Sequence, residues 1–203
     1  MIRHRLLEMD AAATCAIERL QSAPQLERWA QSMLELLARA ANCQWSAYWI
    51  LDREAQRILP VVTWSALGAL TEALERDTLD CAFTLDEGNA GLVWRSGKPM
   101  WCTHLVLEMC LPRSLCAKDA GLQAGMWFAV KGGAAVHGVV ELIAGALEPK
   151  SPEKLRAIER IGLRLGVAFE EAQRGIAVSR VCPDQARGGS ISSSGATKIA
   201  RSE

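Results

Sequence analysis

The residues of this chain with the most latent chemistry are Cys102 and His104, a thiol and an imidazole separated only by Thr103, with Cys110 and Cys116 downstream. Thiolate and imidazole are zinc ligands and redox groups, so a metal or thiol centre is the first chemistry to weigh. Structural zinc takes four ligands, commonly delivered as closely spaced pairs, and the spacing from 104 to 110 to 116 supplies no second pair. No metal site is expected. A thiol becomes reactive where neighbouring cations lower its pKa. Cys110 and Cys116 lie beside Arg113 and Lys118 and are the candidate redox-sensing residues. Cys43, Cys81 and Cys102 read as small apolar side chains in a core, the common fate of a free cysteine.

A carboxylate stands out next. Glu141 follows Val139 and Val140 in an apolar strand pattern, on the same face as Val139 and His137 if the alternation is unbroken. So placed it either anchors a polar ligand or is solvated at a sheet edge, and the apolar flanks favour the anchor.

The elements that must position these groups follow from period and punctuation. Apolar residues at three- and four-residue steps predict helices over 6–20 and 25–41, with Ser22 as cap of the second. From Trp45 the period becomes two, with Trp45, Ala47, Trp49 and Leu51 on one face, and residues 57–64 read as the antiparallel neighbour. Pro60 inside that second strand favours an edge or a bulge. A short helix over 66–76, a brief strand at 81–85 and a helix starting near Ala90 and capped by Asp86, Glu87 and Asn89 come next. Gly97 and Pro99 stop that helix before a strand at Trp101. Residues 104–121 read as a lid-like loop closing with a short helix over 113–120. Two strands, 124–131 and 136–144, form a hairpin about Gly132-Gly133. Ser151-Pro152-Glu153 then opens a helix to about 181 that carries Leu155, Ile158, Leu165, Phe169, Ala172 and Ile176 on one seam. The divisions expected are an N-terminal helical extension (1–24), a domain over 25–180 and a disordered, glycine- and serine-rich tail (181–203).

Composition narrows the class. Lys plus Arg and Asp plus Glu each number 23, and no basic run supplies a local field for phosphate, so nucleic-acid binding is not expected. Seven cysteines without a CxxC pair, and an N-terminus without a signal-like apolar stretch, fit a cytoplasmic protein. No apolar run is long enough for a membrane span.

Three stretches in this order resemble the GAF domain family: GLVWRSGKPMW, AKDAGLQAGMWFAVKGGAAVHGVVELIA and SPEKLRAIERIGLRLGVAFEEA. The resemblance covers about residues 25–180. It implies an α+β fold with a central six-stranded antiparallel sheet, terminal helices on one face and a lidded ligand pocket on the other. It also implies a sensory or regulatory module, without a catalytic site, that binds a small molecule and signals through its terminal helices, as a homodimer, to a partner protein or further output domain. In that fold Trp64, Phe83, Trp94, Cys102, His104, Trp127 and Glu141 border the pocket, where aromatic walls suit a planar ligand. The ligand and any cofactor are left unidentified. The cyclic-nucleotide signature of the family is not found, and the Cys-His pair of its bilin-binding members is interrupted by Thr103. The alternative from another class is a thiol-based reductase similar to the free methionine sulfoxide reductases of the family, although Ala90 stands where their middle-helix thiol is expected. A ligand-free dimerisation module is the third possibility.

Overall fold

The computed structural model describes residues 2–22, 25–105 and 113–181. Its elements are α1 (Ile2–Ser22), α2 (Leu26–Ala41), β1 (Trp45–Asp52), β2 (Arg57–Ser65), a 3-10 turn (Gly68–Thr71), α3 (Glu72–Leu79), α4 (Gly88–Ser96), β3 (Met100–Cys102), α5 (Arg113–Asp119), β4 (Ala124–Gly132), β5 (Ala135–Ala144) and α6 (Pro152–Val181). Cys110 and the expected tail from 182 onward lie outside the described residues.

The strands form one antiparallel sheet in the order β2-β1-β5-β4-β3. It has five strands where six are expected, because the segment 81–85 pairs through a single bridge, Ile58 with Phe83. The two amide bonds of that bridge form, at 2.7 and 3.0 Å. The next amide, Thr84, turns away to the Glu87 carboxylate at 3.0 Å, which ends the pairing. The same bond accounts for a second departure. Glu87 was expected to cap α4, but its side chain is held by Thr84, whose amide keeps the carboxyl below the usual range, and makes no bond to α4. Ser22 likewise ends α1 instead of capping α2, which begins after Gln25 without a side-chain cap.

Alternation assigns the two faces of the sheet. Tyr48, Met126, Phe128, Val130, Val140 and Leu142 face α1, α2 and α6, where Trp29, Met33, Leu34, Leu37, Ile158, Ile161 and Leu165 complete one core. Trp45, Ala47, Trp49, Trp127, Ala129, Val139 and Ile143 face the other way, into a second core roofed by Leu74, Ala90, Val93, Leu105 and Ala117. β2 is the sheet edge and its register shifts beside Pro60, as a missing backbone donor requires. α1 shares the first core through Met9, Ala13 and Ala16, and Trp29 Nε1 donates to the Ala16 carbonyl at 3.0 Å.

The seam of α6 is spent on this core, with Ile158 and Leu165 buried and Leu155, Phe169 and Ala172 packed at its rim. Two glycines set how closely α6 approaches. A Cβ on Gly162 would lie 2.0 Å from the Ala129 carbonyl oxygen, and one on Gly166 would lie 2.1 Å from the Lys131 carbonyl carbon. Both neighbours are strand backbone and cannot rotate aside. Alanine raises helix propensity by about 0.8–1 kcal/mol over glycine, yet overpacking of this kind costs about 1–3 kcal/mol or more. Gly162→Ala and Gly166→Ala are therefore expected to lower the unfolding free energy in urea titration, whereas Gly→Ala on an exposed helix face would raise it.

Candidate functional site

The second core contains an ion pair at its centre. Glu141 lies on β5, the middle strand, between Ala47 of β1 and Trp127 of β4, and is fully buried. One of its oxygens, Oε2, accepts from Trp49 Nε1 at 2.8 Å and from Arg113 Nη2 at 2.9 Å. Arg113, at the start of α5, is also buried and donates through Nε to Thr78 Oγ1 at 2.9 Å. Thr78 Oγ1 in turn donates to the Leu74 carbonyl at 2.6 Å, so α3 orients the guanidinium. The guanidinium carbon lies 5.1 Å from the Trp49 ring centroid and 5.5 Å from that of Trp45, both within cation–π range. Two tryptophans and a carboxylate thus enclose one positive charge.

The set has unused capacity. Among the described residues, Glu141 Oε1 and Trp45 Nε1 of this set are buried without a hydrogen-bond partner, as are Asn89 Nδ2, Ser114 Oγ and, on the opposite face of the sheet, Ser46 Oγ. Each unpaired buried group costs about 1–3 kcal/mol, so a layer serving only as packing would be better built from apolar side chains.

Five expected site residues come together here. Phe83, Trp94, Cys102, Trp127 and Glu141 all belong to the second core, and Phe83 lies against Trp49 with ring centroids 5.4 Å apart. Two do not. Trp64 pairs with Ser46 and so faces α2, where Arg39 covers its ring at 5.3 Å. His104 is exposed, with Nδ1 3.1 Å from Thr103 Oγ1, while Cys102 two residues earlier is buried, so the thiol and imidazole part company. His137 also leaves the face of Glu141. The β4–β5 register shifts between Val130 and Lys131, and His137 Nε2 reaches Glu170 Oε1 of α6 at 2.9 Å. Gly138 beside it is a close-packing position, since a Cβ there would lie 2.1 Å from the Tyr48 hydroxyl oxygen. Sequence spacing does not mark Arg113, Thr78, Trp45 or Trp49 as site residues. For the two tryptophans it marks only the shared face, onto which Trp45, Ala47 and Trp49 alternate.

Cys43 and Cys102 are buried as their apolar reading expects, and Cys116 departs from expectation. Arg113 is committed to Glu141 and does not activate Cys116. Instead the Cys116 thiol donates to Asp77 Oδ2 at 3.0 Å, and that bond, with desolvation and the Asp77 and Asp119 charges, raises its pKa. Cys81 Sγ donates to the Asp77 carbonyl at 3.0 Å. Burial pushes the Cys43 thiol up to about 12.

The GAF domain model matches residues 23–170. The chain belongs to the GAF domain family. Among solved structures it is similar to the GAF domain of a phosphoenolpyruvate-protein phosphotransferase from Coxiella burnetii, with a TM-score of 0.65 at 14% identity, covering 85% of this chain and 98% of that one. A free methionine-R-sulfoxide reductase from Neisseria meningitidis, in complex with its substrate, superposes with a TM-score of 0.63 at 9% identity over 84% of this chain and 93% of that one. A domain of a two-component sensor histidine kinase protein from Sinorhizobium meliloti 1021 gives 0.55 at 13% identity, covering 77% and 99%. At these identities the likeness is one of fold. No curated protein sequence matches the chain significantly. No helix among the described residues is long and apolar enough to cross a membrane.

Two outcomes test this GAF-domain site. Glu141→Gln leaves the buried Arg113 without a counter-charge and is expected to cost about 3–5 kcal/mol in urea unfolding, with Arg113→Met costing a similar amount and the pair together much less than their sum. Asp77→Asn replaces the carboxylate that raises the Cys116 pKa with a neutral amide able to donate to a thiolate, so the Cys116 thiolate fraction and its iodoacetamide alkylation rate at pH 7.5, followed by peptide mass spectrometry, are expected to rise.

Proposed function

We propose that this GAF domain is a sensory or regulatory module that binds a small molecule in the layer between its sheet and α3, α4 and α5. In this reading, ligand binding changes the packing of that layer and is passed to the terminal helices α1 and α6. The observation that carries the reading is the polar set in a largely apolar core: the Glu141–Arg113 pair beside two tryptophans, with one carboxylate oxygen and one indole N–H without partners among the described residues. Small-molecule sites have this composition, aromatic and apolar walls with few convergent polar groups. The substrate complex of the structurally similar Neisseria meningitidis reductase is consistent with it.

The terminal helices suit the output. α1 and α6 are tied by Arg164, which reaches Asp10 Oδ1 at 2.6 Å and Thr14 Oγ1 at 2.8 Å; α6 rests on the sheet whose other face holds the ion pair, and α1 packs on α2 and α6. The homodimer is carried, in this proposal, by the outer faces of these helices, where Leu7, Leu163 and Val167 are exposed. A signalling partner protein or further domain receives the output.

Two other readings are weaker. A ligand-free dimerisation module is favoured by the filling of the second core by Trp45, Trp49, Trp127 and the Arg113 side chain. A thiol reductase is disfavoured by the raised Cys116 pKa and the burial of Cys102. Native mass spectrometry of the freshly purified chain, followed by a thermal-shift screen of metabolites, separates the first two. A ligand at about one hundred times its Kd adds roughly 2.7 kcal/mol of stability, an easily read shift. A retained or stabilising small molecule is the expected outcome; a dimer that retains nothing and responds to nothing supports the ligand-free module.

A further inference from the structure

We propose that the ligand is an organic cation, a guanidinium or an alkylated ammonium, seated between Trp45 and Trp49 on Glu141 in the place that Arg113 holds in this conformation. The inference rests on the small-molecule reading above and names the class of molecule. Its basis is the match between the site and the one charged group inside it. Two indole faces within about 6 Å of a positive centre, beside a carboxylate, are a cation cage. The cage is rigid, because Trp49 Nε1 is bonded to Glu141 Oε2 and both tryptophans are fully buried.

Arg113 fills the cage incompletely. It binds Oε2 of Glu141 through Nη2 and turns Nε to Thr78, so Oε1 of the same carboxylate has no partner among the described residues. A carboxylate met by a planar guanidinium is ordinarily engaged through both oxygens in parallel bonds. The tether of Arg113 to α5 and its bond to Thr78 hold the side chain in the one-oxygen arrangement. A free cation is under neither constraint and can donate to both oxygens. Trp45 Nε1 remains for a polar group elsewhere on the same molecule. An anion has no comparable claim, since the charge of Arg113 is already matched and Glu141 would repel it. Arg113 is thus an internal competitor for the ligand that the cage selects.

The test uses the full chain and two isosteric probes, ethylguanidinium and its neutral counterpart ethylurea, with tetramethylammonium as the alkylated cation and acetate as the anion, at constant ionic strength. Binding is read by thermal shift and by tryptophan fluorescence titration. Ethylguanidinium or tetramethylammonium is expected to bind saturably in the millimolar range or tighter, and ethylurea and acetate are not. Arg113→Ala, which removes the competitor, is expected to bind the cation about tenfold more tightly, and Arg113→Ala/Glu141→Gln, with the same space but no carboxylate, is expected to lose it. Should Arg113→Ala fail to fold, Arg113→Gln, which keeps hydrogen-bonding capacity without the positive charge, takes its place with the same expected direction. Equal binding in the variants with and without Glu141, or preference for ethylurea or acetate, overturns the cation assignment and leaves the small-molecule reading standing. Failure of all four probes, together with no retained or stabilising metabolite, overturns both.

Discussion

A charge buried in the middle strand of a sheet, shielded from water on both sides, needs a partner to compensate its desolvation, and in this GAF domain the partner comes from the far side of a core. Arg113 of α5 reaches across to Glu141 of β5, and Trp45, Trp49 and Thr78 from β1 and α3 orient it. Because desolvating the two charges costs several kcal/mol each, the pair holds only while the strands and both helices keep their positions. The second core is therefore less a store of stability than a constraint on how α3 and α5 sit over the sheet. An apolar core of equal volume would be at least as stable, and the retention of charge there is the reason to look for a ligand.

The opposite face is built on a different physical basis. There the sheet meets α2 and α6 through large apolar side chains, and Gly162 and Gly166 bring the α6 backbone against that of β4. A layer so closely packed is stiff and transmits displacement of the strands. The molecule combines a layer holding a buried ion pair on one side of the sheet with a tightly packed layer carrying both terminal helices on the other.

The residue-level departures share one cause, which is competition among hydrogen-bond partners that sequence spacing does not rank. Glu87 could have capped α4 but is taken by Thr84, and with it the sixth strand shrinks to a single bridge. Cys116 has Arg113 and Lys118 nearby in sequence, yet its nearest charge in space is Asp77, from another helix, which reverses the direction of its pKa shift. His137 lies two residues from Val139, but a register shift sends it to α6. Trp64 falls on the helical face because its partner in the ladder is Ser46 and not Trp45.

Local pattern by itself determined the order of helices and strands, the stop at Gly97, the hairpin about Gly133, the capping serine of α6 and the common face of Trp45, Ala47 and Trp49. These depend on backbone conformation and on periods of two or 3.6 residues, which neighbours along the chain dictate. Family resemblance added a single antiparallel sheet, with one strand more than the five present, and placed Phe83, Trp94, Cys102, Trp127 and Glu141 in one layer, together with Trp64 and His104, which lie elsewhere. Only the tertiary structure decided that Arg113 occupies that layer and that Glu141 is its partner. Twenty-eight positions separate the two residues, and a bond between charges so distant in sequence arises from the packing of α5 over β5, which no local signal encodes.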